Sequence, residues 1–138
     1  MSEMYMARGI VIIGWDNEVG AIVEAKHPPH VKIDSNKATV VYSTHTVSSR
    51  NPCSVALNTG GLRAASYYAG PEIDKCLVVV LDTNENPMLF KEHLPEIVAE
   101  YFNNNSQIDY DKILPEIYER IARISEAGRT VKDIMRWF

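Results

Sequence analysis

Four histidines and two cysteines in this 138-residue sequence could bind a metal or act in nucleophilic chemistry. The closest spacing is His27-Pro28-Pro29-His30. In a polyproline conformation residues three apart share a face but lie about 9 Å apart along the axis. Two imidazoles on one zinc ion must converge more closely, and no third ligand is evident nearby. The segment is therefore interpreted as a stiff, extended exit from a strand with exposed histidines, and we predict no metal site.

The remaining histidines and cysteines form no catalytic pattern. Cys53 and Cys76 are spaced neither as zinc ligands nor as a redox pair, and Cys76 opens an apolar segment, where cysteine is usually a small inert hydrophobe. His45 falls on the apolar face of a predicted helix, so we interpret it as a core or boundary histidine. Nothing in the spacing supports a nucleophile pair between Cys53 and either His45 or His93. The sequence therefore predicts a protein that is not an enzyme and has no cofactor.

Two loops have the composition of ligand sites. Gly60-Gly61 follows a predicted strand but opens another strand, so it lacks the donors of a phosphate-binding loop at a helix start. Asp82-Thr83-Asn84-Glu85-Asn86 is acidic at the end of a central strand, where open sheets often bind ligands. It has no glycine and too few carboxylates for a calcium loop. We interpret the first loop as a hairpin turn and the second as a loop with a helix cap.

Charge and hydropathy exclude several classes of partner. Fourteen basic and 18 acidic residues give a net charge of −4, which offers no concentrated positive charge for nucleic acid or an anionic membrane. The longest apolar runs are far shorter than the roughly 20 residues of a transmembrane helix. The length suits one domain with a real core. With no signal peptide in view, the sequence predicts a soluble cytoplasmic protein.

Two apolar strands must organise the fold. Residues 9–15 are almost unbroken in their apolar character, and residues 19–26 follow a three-residue polar turn as a second strand. Residues 76–81 match the first strand in apolar density. We predict that the two most apolar strands lie side by side at the centre of one sheet, with Ile12 and Val79 in its middle.

The other segments alternate between helical and strand patterns. Asp34 or Ser35 can cap a helix whose apolar positions are Ala38, Val41, Tyr42 and His45. Residues 53–57 and 62–69 form a predicted hairpin. Two helical stripes follow, one at Phe90, Leu94, Ile97, Val98 and Tyr101, the other at Ile113, Leu114, Ile117, Ile121 and Ile124.

The end of the chain carries one further predicted helix. Gly128 is expected to stop the preceding helix, and the last apolar face is formed by Val131, Ile134, Met135 and Phe138. Trp137 points away from that face. We therefore divide the chain into a domain at residues 1–128 and a C-terminal helix at residues 129–138.

The resulting order, β-β-α-β-β-β-α-α plus a C-terminal helix, resembles the longin domain, a relative of the roadblock fold. The resemblance covers residues 8–125 and implies an α+β fold, an α/β/α sandwich around a five-stranded, mostly antiparallel sheet of order 2-1-5-4-3. That order places the two most apolar strands at the centre. It also implies a non-enzymatic adaptor that binds proteins, small GTPases or their regulators among them, in trafficking or signalling complexes. The alternative is a small-molecule sensor or an enzyme with a pocket between sheet and helices.

In this sheet order the third strand is an exposed edge. Cys53, Ser54, Val55, Ala56 and Leu57 carry no charge and no proline, so their backbone is open to strand addition. The other edge ends in Glu24 and Lys26 and runs into Pro28, which discourage pairing. We predict a partner-binding edge at residues 53–57, for another protein or a second copy in a homodimer, with Trp137 as a further partner-binding residue.

Overall fold

The structure, a computed structural model, describes residues 8–47, 49–82, 85–102 and 108–135, with side chains through residue 124. The strands and helices in these residues are β1 (Gly9–Asp16), β2 (Gly20–His27), α1 (Ser35–Thr46), β3 (Cys53–Thr59), β4 (Leu62–Tyr68), β5 (Cys76–Val80), α2 (Pro87–Lys91), α3 (Leu94–Tyr101) and α4 (Tyr110–Met135).

The five strands form one sheet in the order β2-β1-β5-β4-β3, and every neighbouring pair is antiparallel. The predicted fold class and strand order are thereby confirmed. In the central pair, Ile10 lies opposite Val79 and Ile12 lies opposite Leu77. Ile12 and Val79 are fully buried, as expected for strands covered on both faces.

Each face of the sheet has its own core, because successive side chains of a strand point to opposite faces. Helix α1 covers the face that carries Val11, Ile13 and Val78. Helices α2, α3 and α4 cover the other face, where Phe90, Leu94 and Ile117 are among the buried residues. The result is three layers, helix, sheet and helices, with the sheet in the middle. No helix in the described residues is long and apolar enough to cross a membrane.

Helix α1 begins where the sequence predicts. The carboxylate of Asp34 accepts a hydrogen bond of 2.8 Å from the backbone N–H of Lys37, which satisfies one of the free donors of the first turn. The four predicted apolar positions, Ala38, Val41, Tyr42 and His45, are all buried. Local capping and helical spacing therefore outweigh the low helix propensity of the β-branched residues in this segment.

One turn and one helix start also follow the prediction. Gly60 and Gly61 form the β3–β4 turn with positive φ angles of 56° and 80°, a conformation that glycine adopts without steric cost. Asn86 caps α2, its side chain accepting from the backbone N–H of Met88 at 3.0 Å. Pro95 stands in the first turn of α3, so the predicted helix over residues 90–101 is divided into α2 and α3.

Two predictions about the backbone are wrong. The segment after β2 is a turn rather than an extended linker, because the N–H of Val31 donates to the carbonyl oxygen of Pro28 at 3.1 Å. His27 is half-buried, with its ring 5.4 Å from that of Tyr118. Helix α4 does not stop at Gly128 but continues to Met135. A helical glycine costs about 1 kcal/mol relative to alanine, and its neighbours here are the good helix formers Ala127 and Arg129.

The division of the chain into residues 1–128 and 129–138 stays a prediction. Trp137 lies outside the described residues.

Candidate functional site

Strand β3 forms one edge of the sheet. It pairs with β4 on one side. Within the part of the chain that the structure describes, no strand pairs with its other side. Its seven residues, Cys53 to Thr59, contain no charged side chain and no proline. The predicted site at residues 53–57 therefore lies on one continuous, uncharged edge, about 23 Å long at the usual strand rise.

The side chains of β3 alternate between the two faces of the sheet. Leu57 is buried in the core beneath α1, Val55 packs against the same core, and Cys53 contacts His45 of α1. Ala56, on the opposite face, is exposed. A substitution at Ala56 can therefore change the edge without disturbing the core beneath α1.

Cys53 and His45 meet at the start of β3. The Sγ atom of Cys53 lies 3.3 Å from Nδ1 of His45, and Nε2 of the same ring lies 2.8 Å from Oγ of Ser66. His45 is only 3% exposed, and this burial lowers its pKa from 6.5 to about 4. The imidazole is therefore neutral at physiological pH, so it does not hold Cys53 as a thiolate in an ion pair. The interpretation of His45 as a core histidine is confirmed.

A second group of polar side chains ties α1 to the loop before β5. Asp74, which has a positive φ of 53°, accepts hydrogen bonds at one oxygen from the hydroxyls of Tyr42 (2.6 Å) and Tyr68 (2.8 Å). Burial and the bond to Asp74 raise the pKa of Tyr42 to about 12. Arg50 donates to the Tyr42 hydroxyl at 3.0 Å, and Trp15 stacks on the Tyr42 ring with centroids 4.9 Å apart. These bonds fix α1 against the sheet, and every group in them has a structural role.

A third group lies on the opposite face of the sheet. Lys75 donates to both carboxylate oxygens of Glu24 at 2.6 and 2.8 Å, and the hydroxyl of Tyr110 donates to one of them at 3.0 Å. Burial is the larger cause that raises the pKa of Tyr110, and the nearby carboxylate of Glu24 raises it further. The three residues join β2, the start of β5 and the start of α4. Beside them is a narrow cleft, lined by Ala69, Lys75, Cys76, Leu77, Val98 and Phe102.

Three of these contacts were not predicted from the sequence. Sequence spacing gave no support for pairing Cys53 with His45, yet the fold brings them together. No local pattern marks Asp74 or Ser66, because Tyr42 and His45 lie 32 and 21 residues from them along the chain. The described residues contain no group of three or more His, Cys, Asp or Glu that could hold a metal ion.

Comparison with known proteins gives no assignment for this arrangement. No protein-family model, curated protein or solved structure matches the chain.

Proposed function

We propose that this protein is a non-enzymatic interaction module of longin-like architecture, which binds a protein partner by strand addition at the free edge of β3. The observation that carries the proposal is the edge itself: seven successive residues with no charge, no proline and, among the described residues, no strand on the outer side. Edge strands present unpaired N–H and C=O groups, and proteins usually protect them with charges, proline or a covering element.

The opposite edge, β2, supports this choice by contrast. Glu24 and Lys26 lie in β2, and the chain turns away from the sheet at Pro28. A lysine and a following proline are the devices that discourage pairing at an edge. Of the two edges of this sheet, β3 is therefore the one open to strand addition.

The rival function, a small-molecule sensor or an enzyme, requires a pocket and convergent reactive groups. The cleft between the sheet and α3 has no enclosed space for a water molecule, whereas ligand pockets commonly enclose about 300–1,000 Å³. The titratable groups beside it, Glu24, Lys75 and Tyr110, are bonded to one another. These features favour the interaction module. The two functions also differ in the ligand that should stabilise the fold. A protein partner should stabilise an interaction module, whereas a metabolite should stabilise a sensor or an enzyme.

The partner class rests on the resemblance in architecture, which makes small GTPases and their regulators the first candidates. A second copy of the chain is the other candidate, since an uncharged strand can pair with itself across a two-fold axis. Both candidates would use the same backbone edge.

A pull-down from native cytosol with mass spectrometry tests the proposal. The informative variant is Ala56→Lys, which places a charge on the exposed side of the edge. The matched control is Val19→Lys in the β1–β2 turn, where the side chain is 74% exposed and far in sequence from the edge. We expect the wild type and the control to recover the same partner and Ala56→Lys to lose it. Equal recovery by all three folded proteins would exclude the β3 edge as the interface.

A further inference from the structure

The contact between Cys53 and His45 brings a thiol and an imidazole together, and strand addition requires neither group. Cys53 is the first residue of β3, and His45 lies in the last turn of α1. Their Sγ and Nδ1 atoms are 3.3 Å apart, within hydrogen-bond range for sulfur. Cys53 is partly exposed, whereas the other cysteine, Cys76, is fully buried. A solute can therefore approach the first thiol but not the second.

The neighbouring hydroxyl of Ser66 can hold the proton of His45 on Nε2. In that tautomer the Ser66 oxygen accepts from Nε2–H of His45 across the 2.8 Å contact. A neutral imidazole has one N–H, so Nδ1 then keeps a free lone pair. That lone pair points at Cys53, whose S–H is the donor.

We propose that Cys53 and His45 form a two-ligand binding site for a soft monovalent cation of the Cu(I) class. The cation replaces the proton that the two atoms share. Cys53–SH and M⁺ give Cys53–S–M coordinated by Nδ1 of His45, and one H⁺ is released to solvent. No electron is transferred. The partly exposed Cys53 side chain can move outward to admit the larger ion.

The ligand set selects the cation. Thiolate is a soft ligand that prefers Cu(I), and monovalent ions of this class accept as few as two ligands. Structural zinc needs four protein ligands and catalytic zinc usually three. The described residues offer no group of three or more His, Cys, Asp or Glu for that purpose. Zinc, calcium and magnesium are therefore disfavoured.

Ser66 acts as a positioning residue for this site. A histidine that binds a metal through one nitrogen almost always donates its other N–H to a fixed acceptor, which sets the ring orientation and the tautomer. The buried hydroxyl of Ser66 supplies that acceptor. The imidazole orientation needed for binding is thus already present in the fold. The inference does not depend on the proposed function, because it uses side chains beneath α1 rather than the backbone edge.

Silver ion, a redox-stable substitute for Cu(I), tests the site in the 138-residue chain. We expect native mass spectrometry to show one tight equivalent, pH-stat titration to show one proton released, and NMR to show a shift of the His45 Nδ1 resonance. Cys53→Ser should abolish the tight equivalent, and Ser66→Ala should weaken it about 10–100-fold. The control Cys76→Ala keeps the tight equivalent, because Cys76 is not a ligand.

Two results would overturn the proposal. One is a silver equivalent that leaves the His45 resonances of the wild type unchanged, which would mean that Cys53 binds as an isolated thiol. The other is tight binding that persists in Cys53→Ser. Because the NMR measurement uses the wild type, the test remains decisive if a His45 variant fails to fold.

Discussion

The carboxylate of Glu24 occupies the space in which a Cβ atom on Gly14 would stand. A Cβ built on Gly14 would lie 1.8 Å from Oε2 of Glu24 and 2.6 Å from its Cδ. The side chain cannot simply swing away, since Lys75 and Tyr110 hold both of its oxygens. Glycine in the interior of a strand is normally unfavourable. Here it is the residue that allows β1, β2 and α4 to be joined through one partly buried carboxylate.

This relationship predicts a strong coupling between the two positions. Gly14→Ala should lower the free energy of unfolding by about 1–3 kcal/mol, because the displaced carboxylate loses charged hydrogen bonds. In a Glu24→Ala background the same substitution should be neutral or stabilising, because the obstruction is gone. Urea melts of the wild type, both single variants and the double variant measure the coupling. Additive effects would show that Glu24 does not restrict position 14.

The centre of the sheet supplies a second prediction. Ile12 and Val79 are both fully buried, in adjacent strands covered by helices on both faces. Truncating either to alanine should cost about 2–4 kcal/mol through lost burial and a residual cavity. Val19→Ala, at an exposed position of the β1–β2 turn, is the matched control and should change stability by less than about 0.5 kcal/mol. Losses below about 1 kcal/mol for both core variants in urea melts would contradict this placement.

The third prediction concerns the pH dependence of stability. The folded protein holds the pKa of His45 at about 4, below the 6.5 of the unfolded chain, because the ring is buried. Between these values the unfolded chain binds a proton that the folded protein does not. Stability should therefore fall as the pH falls from about 6.5 to about 4, and the contribution of His45 should reach about 3 kcal/mol.

His45→Gln isolates this contribution, because the other titrating groups remain in both proteins. Denaturant melts at a series of pH values should show a shallower loss of stability in the variant over that window. Parallel curves for the two proteins would mean that His45 is protonated in the folded state, contrary to its burial.

Most of the fold could be predicted from local patterns in the sequence. Most of the candidate site could not, because it depends on contacts between residues that are distant along the chain. The apolar runs of β1 and β5, the Asp34 cap and the Gly60-Gly61 turn depend on neighbouring residues, so they could be read from the sequence. The contact of His45 with Cys53 depends on how α1 lies across the sheet, which no local spacing encodes. The same holds for Asp74, which is 32 residues from Tyr42. At Gly128 the local pattern itself was misleading. Glycine is a local signal for the end of a helix, but helix α4 continues through it to Met135.

The last prediction separates self-pairing of β3 from pairing with another protein. An antiparallel pairing of two copies centred on Ala56 places the two Ala56 residues opposite each other, with Val55 of each copy opposite Leu57 of the other. No charged side chain would lie within the paired segment. Because Ala56 is exposed, charges introduced there would face one another across the two-fold axis.

Ala56→Lys and Ala56→Glu should therefore each weaken a β3-paired dimer, because like charges directly opposite one another in a sheet are unfavourable. An equimolar mixture of the two variants should recover the dimer, since each lysine then faces a glutamate. Light scattering of the wild type, each variant and the mixture measures these masses, and Val19→Lys controls for the added charge. If the wild type is a dimer whose mass neither variant changes, the copies associate through another surface. If the wild type is monomeric at all concentrations, self-pairing is excluded, and a partner that binds the β3 edge must be a different protein.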